Sequence, residues 1–311
     1  MAIQGSLVPN ITIFDAQGRI DEAKTRWHME WMLGKGVDGL FLTGSYGAGP
    51  LMSVEERIAI FRLAKQVMEG FPGRVLLPHV GCIDTVHAVE LAVAAERIGV
   101  DAVGAVPPFY YKHSDEAVIE YYKAIIEAVR VPVFAYNNPE TSRYTFSLKT
   151  VKKLQGLGLA GMKDSPLSLG LISQVAYGAQ EAGSDFQLIA GTSTGWLPLC
   201  HMGVKATIAG MNNWAPEIMT ELVRATFAGE WPRARKAYLV MMDLSAKLHF
   251  ADSTVASHMA LYARGHDAGF PRKPMILPPF SDPKYAEIRA QLAAGFKELE
   301  LPFETGTFSV S

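Results

Sequence analysis

Gly158-Leu159-Ala160-Gly161-Met162-Lys163-Asp164-Ser165 is a run of small and apolar residues closed by one lysine, and Pro166 follows shortly after it. An apolar run of this length reads as a strand buried on both faces, while Asp164, Ser165 and Pro166 break it and open a helix. An ammonium at the end of such a strand is costly unless it lies in a cleft or is partly neutral. A desolvated lysine of lowered pKa is the nucleophile that forms Schiff bases with carbonyl compounds. The structural alternative is that Lys163 snorkels out of the strand end or pairs with Asp164. The rest of the chain decides between the two.

On both sides of this stretch, short β-like runs alternate with amphipathic segments. Strands are expected over 6–13, 38–42, 74–78, 101–106 and 131–136, then the Lys163 strand, then 186–190 and 205–209. Helices are expected between them, over 20–33, 53–68, 85–98, 114–129, 147–154, 167–180 and 216–227, and the last unit runs through 196–201 before its strand. Ser53, followed by Glu55 and Glu56, has the form of an N-cap with an acidic first turn. Eight βα units within about 225 residues match the size and alternation of a TIM (β/α)8 barrel. From about Glu230 the pattern becomes helical, over 233–250, 253–264 and 283–296. The expected division is therefore a barrel carrying the active site, residues 1–228, and a C-terminal helical appendage, residues 229–311.

In a barrel of this kind the chemistry lies at the C-terminal ends of the strands. On that rim fall Lys163, Tyr136 in Tyr136-Asn137-Asn138-Pro139, and Ser45 and Tyr46 in Gly44-Ser45-Tyr46-Gly47-Ala48-Gly49-Pro50. Pro107-Pro108-Phe109-Tyr110-Tyr111 and Gly191-Thr192-Ser193 fall there too. Lys205 opens strand eight at the opposite rim, and Lys112 stands further out in a polar loop. The glycine-rich loop lacks the P-loop lysine and the dinucleotide fingerprint. It reads as a tight turn or as a nest of backbone N–H groups for a carboxylate. Tyr136 reads as a core tyrosine or, beside a Schiff-base lysine, as a phenol that shuttles protons. The histidines offer no zinc spacing; His249 and Asp252 read as helix packing, and His201, His258 and His266 as structural or exposed. Ser45 and Ser165 lack the setting of a hydrolase nucleophile.

Composition removes other classes. Of 311 residues, 49% are hydrophobic and 19% charged, enough for a sizeable core and unlike a disordered chain. A net charge of -2 with no basic block gives nucleic acid and anionic membranes little to bind. No apolar run approaches the roughly 20 residues needed to span a bilayer. The first residues lack a basic segment followed by an apolar one, so no signal peptide and a cytoplasmic location are expected. Cys82 and Cys200 are far apart in sequence and read as free thiols.

Taken together, Gly161-Met162-Lys163-Asp164-Ser165, Tyr136-Asn137-Asn138-Pro139, the 44–50 loop and Pro108-Phe109-Tyr110-Tyr111 resemble, in the same order, the dihydrodipicolinate synthase / N-acetylneuraminate lyase family. The resemblance covers nearly the whole chain. It implies a TIM barrel with a three-helix C-terminal region, a homotetramer built as a dimer of dimers, and class I chemistry with pyruvate or another 2-oxo acid. No metal or organic cofactor is implied beyond the covalent imine at Lys163. By the same resemblance Lys163 is the Schiff-base lysine and Tyr136 the proton-transfer tyrosine. Ser45 is the hydroxyl that bonds it, and Tyr110 is the tyrosine lent by a neighbouring subunit. The Ser45 and Tyr46 amides are expected to hold the pyruvyl carboxylate. Gly47, Thr141, Gly191, Thr192 and Ile208 complete the expected substrate-binding set. Where the synthase has an arginine for a second carboxylate, this chain has Thr141, with Arg143 two residues on, and the usual Thr-Thr-Gly-Glu of the loop is Ser45-Tyr46-Gly47-Ala48. The loop form resembles that of the 2-keto-3-deoxy sugar acid aldolases. The expected activity is reversible cleavage of a 2-oxo-3-deoxy acid to pyruvate and an aldehyde. The alternatives are a Schiff-base dehydratase or deaminase using Thr192 and Ser193, dihydrodipicolinate synthase itself, or a non-catalytic sugar-acid binding protein.

Overall fold

A computed structural model of the protein describes residues 2–248 and 251–308. Eight strands form one sheet: β1 (Gly5–Pro9), β2 (Gly39–Leu42), β3 (Val75–Pro78), β4 (Val103–Ala105), β5 (Val133–Asn137), β6 (Gly161–Asp164), β7 (Gln187–Ala190) and β8 (Ala206–Ile208). All of the pairings are parallel, in the order β3-β2-β1-β8-β7-β6-β5-β4. A parallel bridge from His79 to Gly104 joins the β3 and β4 edges and closes the sheet into a cylinder. The barrel read from the alternation of the sequence is the one observed.

The helices in chain order are α1 (Glu22–Gly34), α2 (Val54–Met68), α3 (Thr85–Ile98), α4 (Asp115–Ala128), α5 (Pro139–Ser142) and α6 (Leu148–Gly156). They continue as α7 (Leu169–Glu181), α8 (Trp196–Cys200), α9 (Pro216–Phe227), α10 (Trp231–Lys247), α11 (Ser253–Ala263) and α12 (Lys284–Glu298). Side-chain caps set several of their starts. Ser53 and Glu56 form a reciprocal capping box on α2, and Asp84, Ser114 and Ser147 cap α3, α4 and α6.

Strand alternation divides the side chains between two cores. Leu40, Leu76, Ala135 and Met162 face the surrounding helices, whereas Phe41, Leu77, Phe134, Tyr136 and Ile208 fill the barrel interior. Gly161 is small for a physical reason: a Cβ there would lie 2.4 Å from both the Phe134 ring and the Gln187 carbonyl oxygen. A third cluster unites Ile11, Trp196, Met211 and Trp214 of the barrel with Met241, Met259 and Phe296 of α10, α11 and α12.

Element boundaries differ from the sequence expectation where side chains redirect the backbone. The first strand stops at Pro9 rather than Ile13. Asn213 takes over there, accepting the Ile11 N–H at 3.0 Å and donating to the Pro9 carbonyl at 3.0 Å. Neither Tyr136 nor Lys163 is the last residue of its strand; each is the next to last. Helix α7 begins two residues later than expected, after Leu167 at φ 55°. The helix expected over 233–250 spans Trp231–Lys247, and His249 and Phe250 lie outside the described residues.

His28, His258 and His266 are drawn into the junction of α1 and α11. The first two bond the Asn213 and Ala268 carbonyls at 2.8 and 2.9 Å, and His266 packs on Trp27 and Trp31. Burial, the leading cause for each, lowers their pKa values from 6.5 to about 4, about 3 and about 4 respectively. Between those values and 6.5 the unfolded chain binds more protons than the folded one, so stability falls as the pH drops through that window. The denaturant midpoint should therefore decline from pH 6.5 toward pH 4.5. His266→Gln should flatten the slope by up to about 1.4 kcal/mol per pH unit, as read from urea titrations at stepped pH; an unchanged slope would show that His266 does not take part.

Candidate active site

The register of β5 against β6 pairs Tyr136 with Lys163. Because inward and outward positions alternate identically on neighbouring parallel strands, this pairing places both side chains inside the barrel, side by side. The Lys163 Nζ lies 3.5 Å from the centre of the Tyr136 ring and 4.7 Å from that of Phe41. Lys163 is 4% exposed, so neither snorkelling reading nor pairing with Asp164 holds. Asp164 points the other way, where its carboxylate accepts from the Asn137 side chain and the Ser168 N–H.

Burial pushes the Lys163 ammonium below the usual lysine value, partly opposed by its charge interaction and hydrogen bond with Tyr136. For Tyr136 burial is again the largest influence and would raise the phenol. The Lys163 charge, together with hydrogen bonds from Lys163, Ser165 and Ser45, outweighs it, and the phenol falls below its ordinary value. Asn138 Nδ2 also donates to the Tyr136 hydroxyl at 3.1 Å. An amine that is easily deprotonated beside a phenol that is easily ionised is what imine formation requires: a free nucleophile with an adjacent proton donor and acceptor.

The 44–50 loop is held in a strained path. Thr43 and Ala48 adopt φ values of 49° and 56°, and a Cβ on Gly49 would fall 1.8 Å from the Thr43 carbonyl oxygen. Arg57 of α2, almost fully buried, ties the loop to the end of β3. Its guanidinium donates to the His79 carbonyl at 2.6 Å, the Gly81 carbonyl at 3.1 Å and the Thr43 hydroxyl at 3.4 Å. The His79 ring stands edge-on to Tyr136 and is held neutral by burial first, then by the charges of Arg57 and Lys163. Sequence reasoning missed Phe41, Arg57, His79 and the phenol contact of Ser165. Arg57 left one trace, a charged residue on the inward face of the amphipathic α2.

A cavity of about 570 Å³ opens above Lys163. Ser45, Tyr46, Thr141, Gly191, Thr192 and Ile208 line it with Lys163 and Tyr136. Gly47 does not, and Tyr110 is the residue expected to serve a neighbouring subunit. Gly47 packs behind the loop, where its carbonyl accepts the Thr12 hydroxyl at 2.8 Å and a Cβ would lie 2.8 Å from the Thr43 backbone. Tyr110, at φ 81°, is 69% exposed and stacks edge-on with Tyr111, so the fold of a single chain does not bring it to the cavity. Ser245, Asp252 and Ser253 of the C-terminal region complete the wall, a contribution the sequence reading had not foreseen. Among the described lining residues Lys163 is the one basic side chain, and Arg143 is not among them. No group of three or more His, Cys, Asp and Glu among the described residues is placed to hold a metal ion, and no described helix is long and apolar enough to cross a membrane.

The family model for the dihydrodipicolinate synthetase family matches residues 2–295. The chain belongs to that family. The chain is thus an enzyme of the class I, pyruvate-dependent aldolase and lyase superfamily. It is 30% identical over 288 residues to the 4-hydroxy-tetrahydrodipicolinate synthase of Desulfotalea psychrophila, covering 92% of this chain and 94% of that one. Among solved structures it superposes on YagE from E. coli K12, determined in complex with pyruvate, with a TM-score of 0.87 at 23% identity, covering 97% of this chain and 100% of that one. It also superposes on KD(P)GA from T. tenax with a TM-score of 0.83 at 25% identity, covering 95% of this chain and 100% of that one.

Tyr136→Phe keeps the ring against Lys163 and removes only the hydroxyl. Imine formation with pyruvate should slow by about 10²–10⁴-fold, measured as the rate of borohydride-trapped protein by mass spectrometry. A rate within a few-fold of the parent would deny the phenol its role.

Proposed function

We propose that the protein reversibly cleaves a 2-oxo-3-deoxy sugar acid to pyruvate and an aldehyde through an imine at Lys163. The observation that carries this reading is the cavity itself: one buried amine beside a phenol, beneath walls of hydroxyl groups that contain no second basic side chain among the described lining residues. Among the described lining residues, apart from the imine-forming Lys163, a second carboxylate on the substrate would find no cation to receive it. At the site where the synthase holds such a carboxylate the chain has Thr141, and Arg143, exposed and at φ 57°, is not among the described lining residues. The likeness to the structure named KD(P)GA agrees with this preference.

In this scheme the neutral Lys163 amine attacks C2 of the oxo acid, and the Tyr136 phenol delivers a proton to the departing hydroxyl, which leaves as water. The resulting protonated imine is an electron sink. When a base removes the C4 hydroxyl proton, the C3–C4 bond breaks, its electron pair enters the imine system as an enamine, and the aldehyde departs. Protonation at C3 and addition of water then release pyruvate and restore the amine. Ser45 and Ser165, both bonded to the phenol, orient its proton, and the Ser45 and Tyr46 amides are assigned to the pyruvyl carboxylate.

Dehydration from the same imine, with a proton lost from C3 and the C4 hydroxyl leaving as water, is the second reading, favoured by the hydroxyls of Thr192 and Thr194 along the strand-seven side of the cavity. The two give different products. Incubation with a panel of 2-keto-3-deoxy acids should release pyruvate and an aldehyde, and borohydride should fix pyruvate irreversibly to Lys163. Lys163→Ala should abolish both. Release of a dehydrated oxo acid would select the second reading, and a pyruvate adduct that survives the substitution would overturn the imine assignment altogether.

A further inference from the structure

The inner part of the cavity, around Lys163 and Tyr136, is occupied by the three carbons of the pyruvyl unit under the scheme above. What the remaining wall recognises is set by a second phenol. Tyr46 extends from the β2 loop toward the C-terminal helices. Its hydroxyl shares a hydrogen bond with Ser253, and its carbonyl accepts the Thr254 hydroxyl at 3.3 Å. The ring lies in a slot that exists because residue 210 is glycine: a Cβ there would stand 2.2 Å from the Tyr46 hydroxyl oxygen and 2.5 Å from Cζ. Gly210 is itself fixed, since its carbonyl accepts from Asn213 at 3.1 Å. The phenol is thus clamped at both ends, by α11 on one side and by the turn after β8 on the other.

Burial raises the Tyr46 hydroxyl above its ordinary value, opposed in part by the Ser253 hydrogen bond and reinforced by the nearby Tyr136 and Asp252 charges. It therefore remains a neutral phenol that can both donate and accept. Ser253 and Thr194 place further hydroxyls on the same cavity, and Thr194 is held by the Tyr238 hydroxyl, which donates to its carbonyl at 2.9 Å. Paired neutral donors and acceptors complement a carbon chain that carries hydroxyl groups, and they leave an aliphatic chain with desolvated, unanswered polar groups.

We propose that Tyr46 is the residue that determines specificity for the aldehyde half, its clamped phenol hydrogen-bonding a hydroxyl on that chain, so that the site takes short polyhydroxylated aldehydes in preference to aliphatic ones of equal length. The inference rests on the aldolase reading of the site. It is tested by condensing pyruvate with glyceraldehyde and with propionaldehyde and comparing kcat/KM. The parent enzyme should favour glyceraldehyde, and Tyr46→Phe should lower that preference by about tenfold or more, chiefly through KM for the aldehyde. Gly210→Ala, which forces the ring out of its slot, should lower it in the same sense without removing the hydroxyl, and this second variant decides the matter if the first does not fold. A parent enzyme with no preference, or a Tyr46→Phe enzyme that retains it, overturns the proposal. Failure of the parent to trap pyruvate at Lys163 would instead overturn the aldolase reading, so the two failures are told apart.

Discussion

The structure depends on placing one amine where water cannot stabilise its charge. Among the described residues Lys163 meets two aromatic rings and a phenol hydroxyl inside the barrel, and the neighbouring Asp164 is turned outward by strand alternation. The barrel walls do the desolvating. Eight short strands enclose the amine, while a second layer of helices packs over their outward side chains. Lys163 and Tyr136 are coupled: the same burial that disfavours the ammonium would disfavour the phenolate, and each charge offsets part of the burden on the other.

The surroundings of that pair are organised to hold it still. Among the described residues no carboxylate pairs with the buried Arg57, and neutral acceptors on Thr43, His79 and Gly81 satisfy its fork. This is an economical way to fix a strained loop, because one rigid guanidinium reaches the loop and the end of β3 at the same time. Asn213 does similar work on the other side, bonding Pro9 and Ile11 where β1 leaves the sheet. The C-terminal helices share a hydrophobic cluster with the barrel and contribute Ser253 and Asp252 to the cavity wall. They belong to the site as much as to the scaffold.

The boundaries read from sequence were best where local rules dominate. Ser53 and Glu56 form a reciprocal cap, and α2 begins where that pattern requires. They were poorer where a distant side chain intervenes, as when Asn213 ends β1 early. Gly47 reads as a binding residue in a glycine-rich loop, yet its small size serves close packing against Thr43. Tyr110, expected to serve a neighbouring subunit, is exposed on its own chain.

The sequence by itself determined the alternation of strands and helices, and hence the barrel, because hydrophobic period and capping residues act over a few positions. It also placed Lys163 and Tyr136 on the same rim, since strand ends can be counted. Only the tertiary structure decided that they touch, because register between strands far apart in sequence is set by the packing of whole faces. The same holds for the buried Arg57, the outward Asp164 and the Gly210 slot for Tyr46. Each is a contact between segments that no local pattern links, made definite only when the cylinder closes.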